Sequence, residues 1–279
     1  PSRVATVMLV MDVSGSMRAT DVNPSRIMAA ETAAKAYIKQ QPKDVRIGIV
    51  AFAATALLVQ SPTTDHVALD SAIDRFELQR GTAVGSGIMV AMSTLFPQDN
   101  FPINQFNSQN FGGYGRWGGY DFRERYGGVA LGERATAPPK KHMPVEPGSY
   151  KNAVVILLTD GQTNAGYDPI AAARTASEYG LRVYTVGFGT AKGNIVGFGG
   201  FSMRAQLDEE SLKKIADMTR AKYFHATSAE DLRAVYDVLS RQLIVELREM
   251  EITSFFAAAS ALLMLLAAGL SLAWYHRIF

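Results

Sequence analysis

Two carboxylates and two hydroxyls follow segments of the sequence that resemble buried strands. Asp12, Ser14 and Ser16 lie in Asp-Val-Ser-Gly-Ser after a first apolar run, and Asp160 follows a second one at 152–159. In a parallel sheet, the loops at the carboxyl ends of the strands form the crevice in which ligands bind. Hard oxygen ligands suit Mg²⁺, Mn²⁺ or Ca²⁺ better than zinc. The pattern therefore predicts a divalent-cation site at one edge of a sheet.

The same residues do not complete a familiar catalytic motif. An aspartyl-phosphate hydrolase would need a second carboxylate two residues after Asp12, where this chain has Ser14. The sequence holds no G-x-x-x-x-G-K-[ST] loop, and the Gly187-Phe188-Gly189 segment fails to become G-x-G-x-x-G because position 192 is Lys. The four histidines lack H-E-x-x-H spacing. These observations favour binding over catalysis.

The elements that position this site alternate between strands and helices. Nearly uniform apolar runs predict strands at 4–11, 45–52, 152–159 and 182–188, with shorter ones at 57–60 and 222–225. Helices are predicted from an Asn23 N-cap with Pro24 at the first position, over 66–76 and 84–96, after Asp208, and from about residue 229. Uniformly apolar strands that alternate with helices indicate an α/β fold: a doubly wound, mainly parallel, Rossmann-like sandwich.

Two segments stand apart from this domain, which is predicted to cover 1–250. Residues 97–149 are rich in Gly, Pro and aromatic side chains, which predicts a surface insertion; the alternative is an arm that binds a partner through its aromatic residues. Residues 255–275 carry no charge over 21 positions and end in Trp274 and Tyr275, which predicts a C-terminal transmembrane helix with a short tail within 251–279.

Composition excludes some classes of partner and of chemistry. The formal net charge is +2, and no basic stretch is interleaved with stacking aromatics, so no nucleic-acid binding is expected. The chain has no cysteine, which excludes thiol catalysis, disulfides and thiolate metal sites. It begins at Pro1 without an initiator Met or a signal peptide, and we expect the gene product to extend upstream.

Three segments in order resemble the metal-binding loops of von Willebrand factor type A (VWA) domains. They are DVSGS (12–16), GTAVG (81–85) and TDG (159–161). The resemblance implies a six-stranded parallel sandwich with a metal-ion-dependent adhesion site. In that site Ser14, Ser16 and Thr82 would be hydroxyl ligands of the ion, and Asp12 and Asp160 would act mainly through water.

Longer stretches resemble bacterial membrane VWA proteins of the Bacteroides-aerotolerance (Bat) type. These are MDVSGSMRATDVNPSR (11–26), LDEESLKKIADMT (207–219) and YFHATSAEDLRAVYDVL (223–239). The resemblance implies a MoxR-type AAA+ ATPase and sibling VWA or tetratricopeptide-repeat proteins as partners. It also implies a bacterial inner membrane location with the VWA domain outside the cytoplasm. The upstream membrane hairpin usual in that family is absent here, and residues 97–149 depart from it.

A metal-dependent, protein-binding scaffold is the function that these observations favour. Neutral hydroxyls leave much of the cation's charge uncompensated, so an open position would attract an Asp or Glu from a partner. Assembly or envelope-stress tolerance is the role that the resemblance implies. A surface adhesin that binds an extracellular ligand is the alternative, and a metal-dependent hydrolase is a third hypothesis.

The apolar strands, not the metal, should supply the folding energy. Changing Ser14 and Ser16 together to Ala should therefore abolish Mg²⁺ or Mn²⁺ binding and leave the circular dichroism spectrum unchanged. Calorimetric titration with either cation, together with the spectrum, checks both halves of this expectation. Global unfolding of the double variant would contradict it.

Overall fold

The computed structural model describes residues 6–99, 101, 142–160, 163–189, 194–198, 201–205, 207–247 and 252–275. The chain divides into two compact units, Pro1–Gln242 and Leu243–Phe279. The first unit holds all of the candidate site residues.

A six-stranded sheet forms the centre of the first unit, in the order β3-β2-β1-β4-β5-β8. All neighbouring strands are parallel except β3, which is antiparallel to β2. The strands are β1 (Thr6–Asp12), β2 (Arg46–Phe52), β3 (Ala56–Thr63), β4 (Ala153–Thr159), β5 (Arg182–Phe188) and β8 (Tyr223–Ala226). The α/β, mainly parallel prediction is confirmed.

Burial explains why the central strands are so uniformly apolar. Every residue of β1 and of β4 is buried, as a strand covered on both faces requires. The edge strand β3 is only half-buried and contains Pro62, which is tolerated there because an edge strand has one unpaired side. The most apolar strands are thus the two that end at the predicted metal loops.

Helices cover both faces of this sheet. They are α1 (Arg26–Gln40), α2 (His66–Ile73), α3 (Val84–Leu95), α4 (Pro169–Glu178), α5 (Glu209–Met218) and α6 (Ala229–Leu247). Residues of α3, α4 and α5 share one core cluster with Met8, Val10, Val50 and Phe52. Ile27 of α1 and Phe76 pack instead against Ala51, which points to the opposite face because successive strand residues alternate. On that face α6 packs on α1, where the Tyr37 and Tyr236 rings lie 5.1 Å apart.

The start of α1 differs from the prediction. Its N-cap is Ser25, whose side chain accepts a hydrogen bond from the backbone N–H of Met28, and Pro24 lies before the helix. The backbone N–H of Arg26 donates to the carbonyl of Ala19 at 2.9 Å, which closes the loop between the metal motif and the helix. The Asn23 N-cap prediction was therefore wrong by two residues. In contrast, the predicted cap at Asp208 is confirmed, because its side chain accepts from the N–H of Ser211.

A short hairpin follows β5 that the sequence patterns did not predict. Strands β6 (Asn194–Phe198) and β7 (Phe201–Ala205) pair antiparallel in a separate two-stranded sheet. The segment contains three glycines within six residues, which weakens any alternation of apolar and polar residues. Backbone pairing, rather than a hydrophobic pattern, defines this element.

The second unit contains a helix, α7 (Ile252–Tyr275). Its described side chains, residues 256–271, are all exposed. Within the described residues, no helix meets the length and apolarity needed to cross a membrane. The predicted C-terminal transmembrane helix is thus not supported by the structure.

Both ends of the predicted insertion contact the domain. The rings of Phe101 and His142 lie 5.4 Å and 3.6 Å from the ring of Tyr179, which follows α4. The backbone N–H of Val145 donates to Glu178 at 2.9 Å, and the Gly148 carbonyl accepts from the Arg182 side chain. Residues 102–141 lie outside the described residues. The contacts place 142–149 with the domain, so we draw the borders of the removable segment at 102 and 141.

Replacing residues 102–141 with a short Gly-Ser linker should keep the fold, because Phe101 and His142 already meet at one ring. We expect the melting temperature to stay within about 5 °C of wild type. Removing 97–149 instead should lower it by a further 5–10 °C, roughly the effect of losing the two hydrogen bonds and the ring contacts. Thermal denaturation of the two deletions side by side checks this border. Equal melting temperatures would contradict it.

Candidate metal site

The crevice between β1 and β4 brings the predicted loops together. In the sheet order, β2 lies on one side of β1 and β4 on the other, so the chain order reverses there. Asp12 ends β1 and Asp160 directly follows β4, and the two strands are hydrogen-bonded neighbours. Ligands bind at such a switch point in open α/β sheets because the loops on either side diverge.

A chain of short hydrogen bonds links the predicted ligands. The Ser14 and Ser16 hydroxyls lie 2.8 Å apart, and the Ser16 hydroxyl donates to Oδ1 of Asp160 at 2.6 Å. Ser16 lies in a short 3₁₀ helix (Gly15–Arg18) that starts immediately after Ser14. Both hydroxyls and this carboxylate therefore converge on one point.

Asp12 is held rigidly beside this group. Its Oδ1 accepts from the backbone N–H of Ser14 at 2.7 Å, and its Oδ2 accepts from the Thr159 hydroxyl at 2.6 Å. Asp12, Thr159 and Asp160 are completely buried. Charge-assisted bonds of this kind are short and strong, which fixes the carboxylate in one orientation.

Thr82 is buried at the same end of the sheet, but its backbone fixes it. Its N–H donates to the side-chain oxygen of Asn164 at 2.9 Å, and its carbonyl accepts from the N–H groups of Asn164 and Ala165. These bonds clamp the loop before α3 to the loop after β4. The structure thus joins Asp12, Ser14, Ser16 and Asp160 through side chains, and Thr82 through its loop; their role as metal ligands stays a prediction.

Arg26 is the charged residue of the site that the sequence patterns did not single out. Its Nη1 donates to Oδ2 of Asp160 at 2.8 Å, while its Nε and Nη2 donate to the two oxygens of Asp21 at 2.8 and 2.6 Å. The Arg26 side chain is only 1% exposed and Asp21 is 10% exposed. One buried guanidinium thus bridges two carboxylates. The sequence feature that could have pointed to Arg26 is its position at the end of the segment 11–26, five residues after Asp21.

Gly189, at the end of β5, makes room for this guanidinium. A Cβ at Gly189 would come within 2.6 Å of Cζ of Arg26, and the residue has a φ of +129°, which side chains rarely adopt. Its N–H donates to the Ala226 carbonyl on β8, which fixes its position. This glycine therefore belongs to the site through close approach, and not to a nucleotide-binding loop.

Burial and mutual repulsion dominate the electrostatics of the two aspartates. Burial raises the pKa of Asp12 to about 7, and the neighbouring Asp160 carboxylate adds to the increase. Burial also raises the pKa of Asp160, against the opposing effects of Arg26 and Ser16. Burial alone would lower the pKa of Arg26, but the pairs with Asp21 and Asp160 raise it above its ordinary value. A bound divalent cation would remove the repulsion between the two carboxylates.

The donor set fits a hard cation that takes mixed oxygen ligands. Within the described residues, no group of three or more His, Cys, Asp or Glu side chains is placed to hold a metal ion. Any ion at this crevice would therefore need the serine hydroxyls as well as the carboxylates. Two hydroxyls 2.8 Å apart beside a buried carboxylate provide such oxygens.

Comparison with known proteins identifies two matched regions of the chain. Residues 7–109 match one profile described as von Willebrand factor type A domain, and residues 143–238 match a second with the same description. A UPF0353 protein from Nocardia farcinica is 33% identical over 87% of this chain and 64% of its own length. A UPF0353 protein from Mycobacterium sp. (strain KMS) is 31% identical over 100% of this chain and 72% of its own length.

Solved structures show the same fold. BatB from Bacteroides thetaiotaomicron superimposes with a TM-score of 0.59 at 20% identity, covering 87% of this chain and 98% of that one. An aerotolerance-related membrane protein from Bacteroides fragilis gives 0.59 at 19% identity, covering 86% and 98%. Both similarities confirm the VWA-type fold. They agree with the resemblance to Bat-type proteins that the sequence shows.

The raised pKa of Asp12 makes the stability of the metal-free protein depend on pH. Because the pKa of Asp12 in the folded protein lies above its ordinary value of 3.8, the protonated side chain contributes to the free energy of unfolding. This contribution is complete below pH 3.8 and is lost as the pH rises through about 7. Asp12→Asn removes this titration, and its amide can still bond Thr159. We expect the wild type to lose on the order of 2 kcal/mol relative to the variant between about pH 4 and pH 8.

Urea denaturation at stepped pH, with a chelator present, measures this difference. Excess Mg²⁺ should restore the lost stability of the wild type at the high-pH end and have no effect on Asp12→Asn. Parallel stability curves for the two proteins would show that Asp12 does not titrate in this range.

Proposed function

This chain belongs to the UPF0353 family of VWA-domain proteins, and we propose that it is a metal-ion-dependent protein-binding module of a membrane complex. The observation that carries the proposal is the partly buried chain of Ser14, Ser16 and Asp160 at the switch point of the sheet. It supplies hydroxyl oxygens next to carboxylates that are already bonded within the protein. Mg²⁺, with Mn²⁺ or Ca²⁺ as alternatives, is the cation we expect there.

Binding rather than catalysis follows from how the charges are engaged. Oxygens of Asp12 and Asp160 accept short hydrogen bonds from Ser14, Thr159, Ser16 and Arg26. They therefore neutralise a cation less than free carboxylates would, and the ion keeps the capacity to attract an external anion. An Asp or Glu of a partner protein is the anionic oxygen that suits such a site, and a contact partly shielded from water strengthens it.

The cellular setting is part of the same proposal. The Bacteroides fragilis structure is that of an aerotolerance-related membrane protein, which supports a membrane setting for this chain. We place the chain at the bacterial inner membrane, in contact with lipid and with the VWA domain outside the cytoplasm. The Bat resemblance favours a MoxR-type AAA+ ATPase and sibling VWA or tetratricopeptide-repeat proteins as companions, in assembly or stress tolerance.

Chelation should dissociate the partner complex if the ion bridges the two proteins. Purification of the full chain from native membranes should recover a partner in Mg²⁺, lose it in chelator, and regain it when Mg²⁺ or Mn²⁺ is restored. Asp12→Ala should have the effect of chelator. A complex that survives both treatments and disappears when 102–141 are deleted would contradict the proposal, since the partner would then dock elsewhere.

Thr82→Ala is the sharper variant, because Thr82 is held in place by its backbone. Loss of the hydroxyl should weaken the complex about tenfold and cation binding about threefold, since one neutral ligand of about six perturbs geometry more than affinity. Thr32→Ala is the matched control, because Thr32 is exposed and its hydroxyl donates only to the Met28 carbonyl of its own helix. Equal losses in complex and cation binding would show that Thr82 only helps to hold the ion.

A further inference from the structure

We propose that Arg26 is the residue that makes this site select Mg²⁺ and Mn²⁺ over Ca²⁺, because it occupies the second oxygen of Asp160. The inference rests on the proposed function, since it assumes that a cation binds beside Ser14 and Ser16. It assigns to Arg26 a positioning role that acts through Asp160.

Each oxygen of the two site carboxylates already accepts a hydrogen bond. In Asp160, Oδ1 accepts from Ser16 at 2.6 Å and Oδ2 accepts from Arg26 at 2.8 Å. In Asp12, Oδ1 and Oδ2 accept from the Ser14 N–H and the Thr159 hydroxyl. The partner at Oδ2 of Asp160 differs from the other three, because it carries a full positive charge that repels a cation. Asp160 can therefore offer a cation only its Oδ1 side.

The structure holds Arg26 firmly in this position. Asp21 binds the guanidinium through both of its oxygens, and Arg26 is almost completely buried. The lack of a side chain at Gly189 leaves a space that the guanidinium fills. A bidentate pair fixes the plane of the guanidinium, so its remaining Nη1 points in one direction only. Displacing Arg26 from Asp160 would leave a completely buried carboxylate without its cationic partner.

A carboxylate with only one oxygen available to a cation discriminates between Ca²⁺ and Mg²⁺. Ca²⁺ takes six to eight oxygens and gains from carboxylates that bind with both oxygens, while Mg²⁺ takes six in a strict octahedron and tolerates single contacts and water. A site in which Asp160 can bind through only one oxygen loses more affinity for Ca²⁺ than for Mg²⁺.

The test compares cation selectivity in a double variant that keeps the net charge and in a single variant that keeps Arg26. The double variant Asp21→Asn/Arg26→Met removes one negative and one positive charge and frees Oδ2 of Asp160. We expect its affinity for Ca²⁺ relative to Mg²⁺ to rise by about tenfold, measured by calorimetric titration of the chelator-treated full chain. Asp21→Asn alone is the matched control and should leave the ratio within about threefold, because Arg26 still binds Asp160.

The outcomes separate this inference from the proposed function. If the wild type binds neither cation, the proposed function fails and takes this inference with it. If the wild type binds Mg²⁺ and the double variant keeps the wild-type ratio, the assignment of Arg26 is wrong and the proposed function stands.

A second measurement needs no change at Arg26, in case the double variant does not fold. Difference infrared spectra of the wild type with Ca²⁺ and with Mg²⁺ report how carboxylates bind, because chelation narrows the separation between the two carboxylate stretching bands. We expect the separation between these two bands not to narrow with either cation. A narrowed separation with Ca²⁺ that is absent in Asp160→Asn would show that Asp160 binds Ca²⁺ through both oxygens in spite of Arg26. That result would overturn the inference.

Discussion

The burial of two carboxylates in one crevice is the constraint on which the site depends. Asp12 and Asp160 follow neighbouring parallel strands, so the topology of the sheet forces them together, and burial makes their repulsion costly. Hydrogen bonds to every oxygen of the two carboxylates, and a buried guanidinium on Asp160, offset this repulsion. An uncompensated pair would lower the free energy of unfolding by several kcal/mol, on the order found when one partner of a buried ion pair is removed.

This compensation also determines what the site can do. Carboxylates that are already bonded within the protein supply less charge to a cation than free ones, and the hydroxyls of Ser14 and Ser16 are neutral. The features that stabilise the crevice therefore leave an ion there able to attract a further anion. Under the proposed function, the stability of the fold and the binding of a carboxylate-bearing partner would therefore depend on the same hydrogen bonds.

The domain separates two regions that a partner could use. The metal crevice lies at the carboxyl ends of β1 and β4, whereas Tyr150 precedes β4 and Phe96 and Tyr179 follow the ends of α3 and α4. Phe96 lies within 5.0 Å of both other rings, so these aromatic residues form a cluster at the opposite edge of the sheet. Phe101 and His142, which flank the segment 102–141 in the sequence, both contact Tyr179 of this cluster. Contacts made from the cluster and contacts made through the ion would therefore involve different faces of the domain.

Local patterns in the sequence predict the layers of the fold and most of the candidate site. The run 153–158 is apolar at every position, as a strand covered on both faces requires, and the Asp and Ser residues of the site come shortly after such runs. Local patterns also located the cap at Asp208, because capping depends on neighbouring residues. They could not assign Arg26 or Gly189, whose roles depend on contacts across 134 residues in one case and on a close approach between two elements in the other. Both roles are visible only in the folded chain, because burial of a charge next to a distant carboxylate leaves no periodic signal in the sequence.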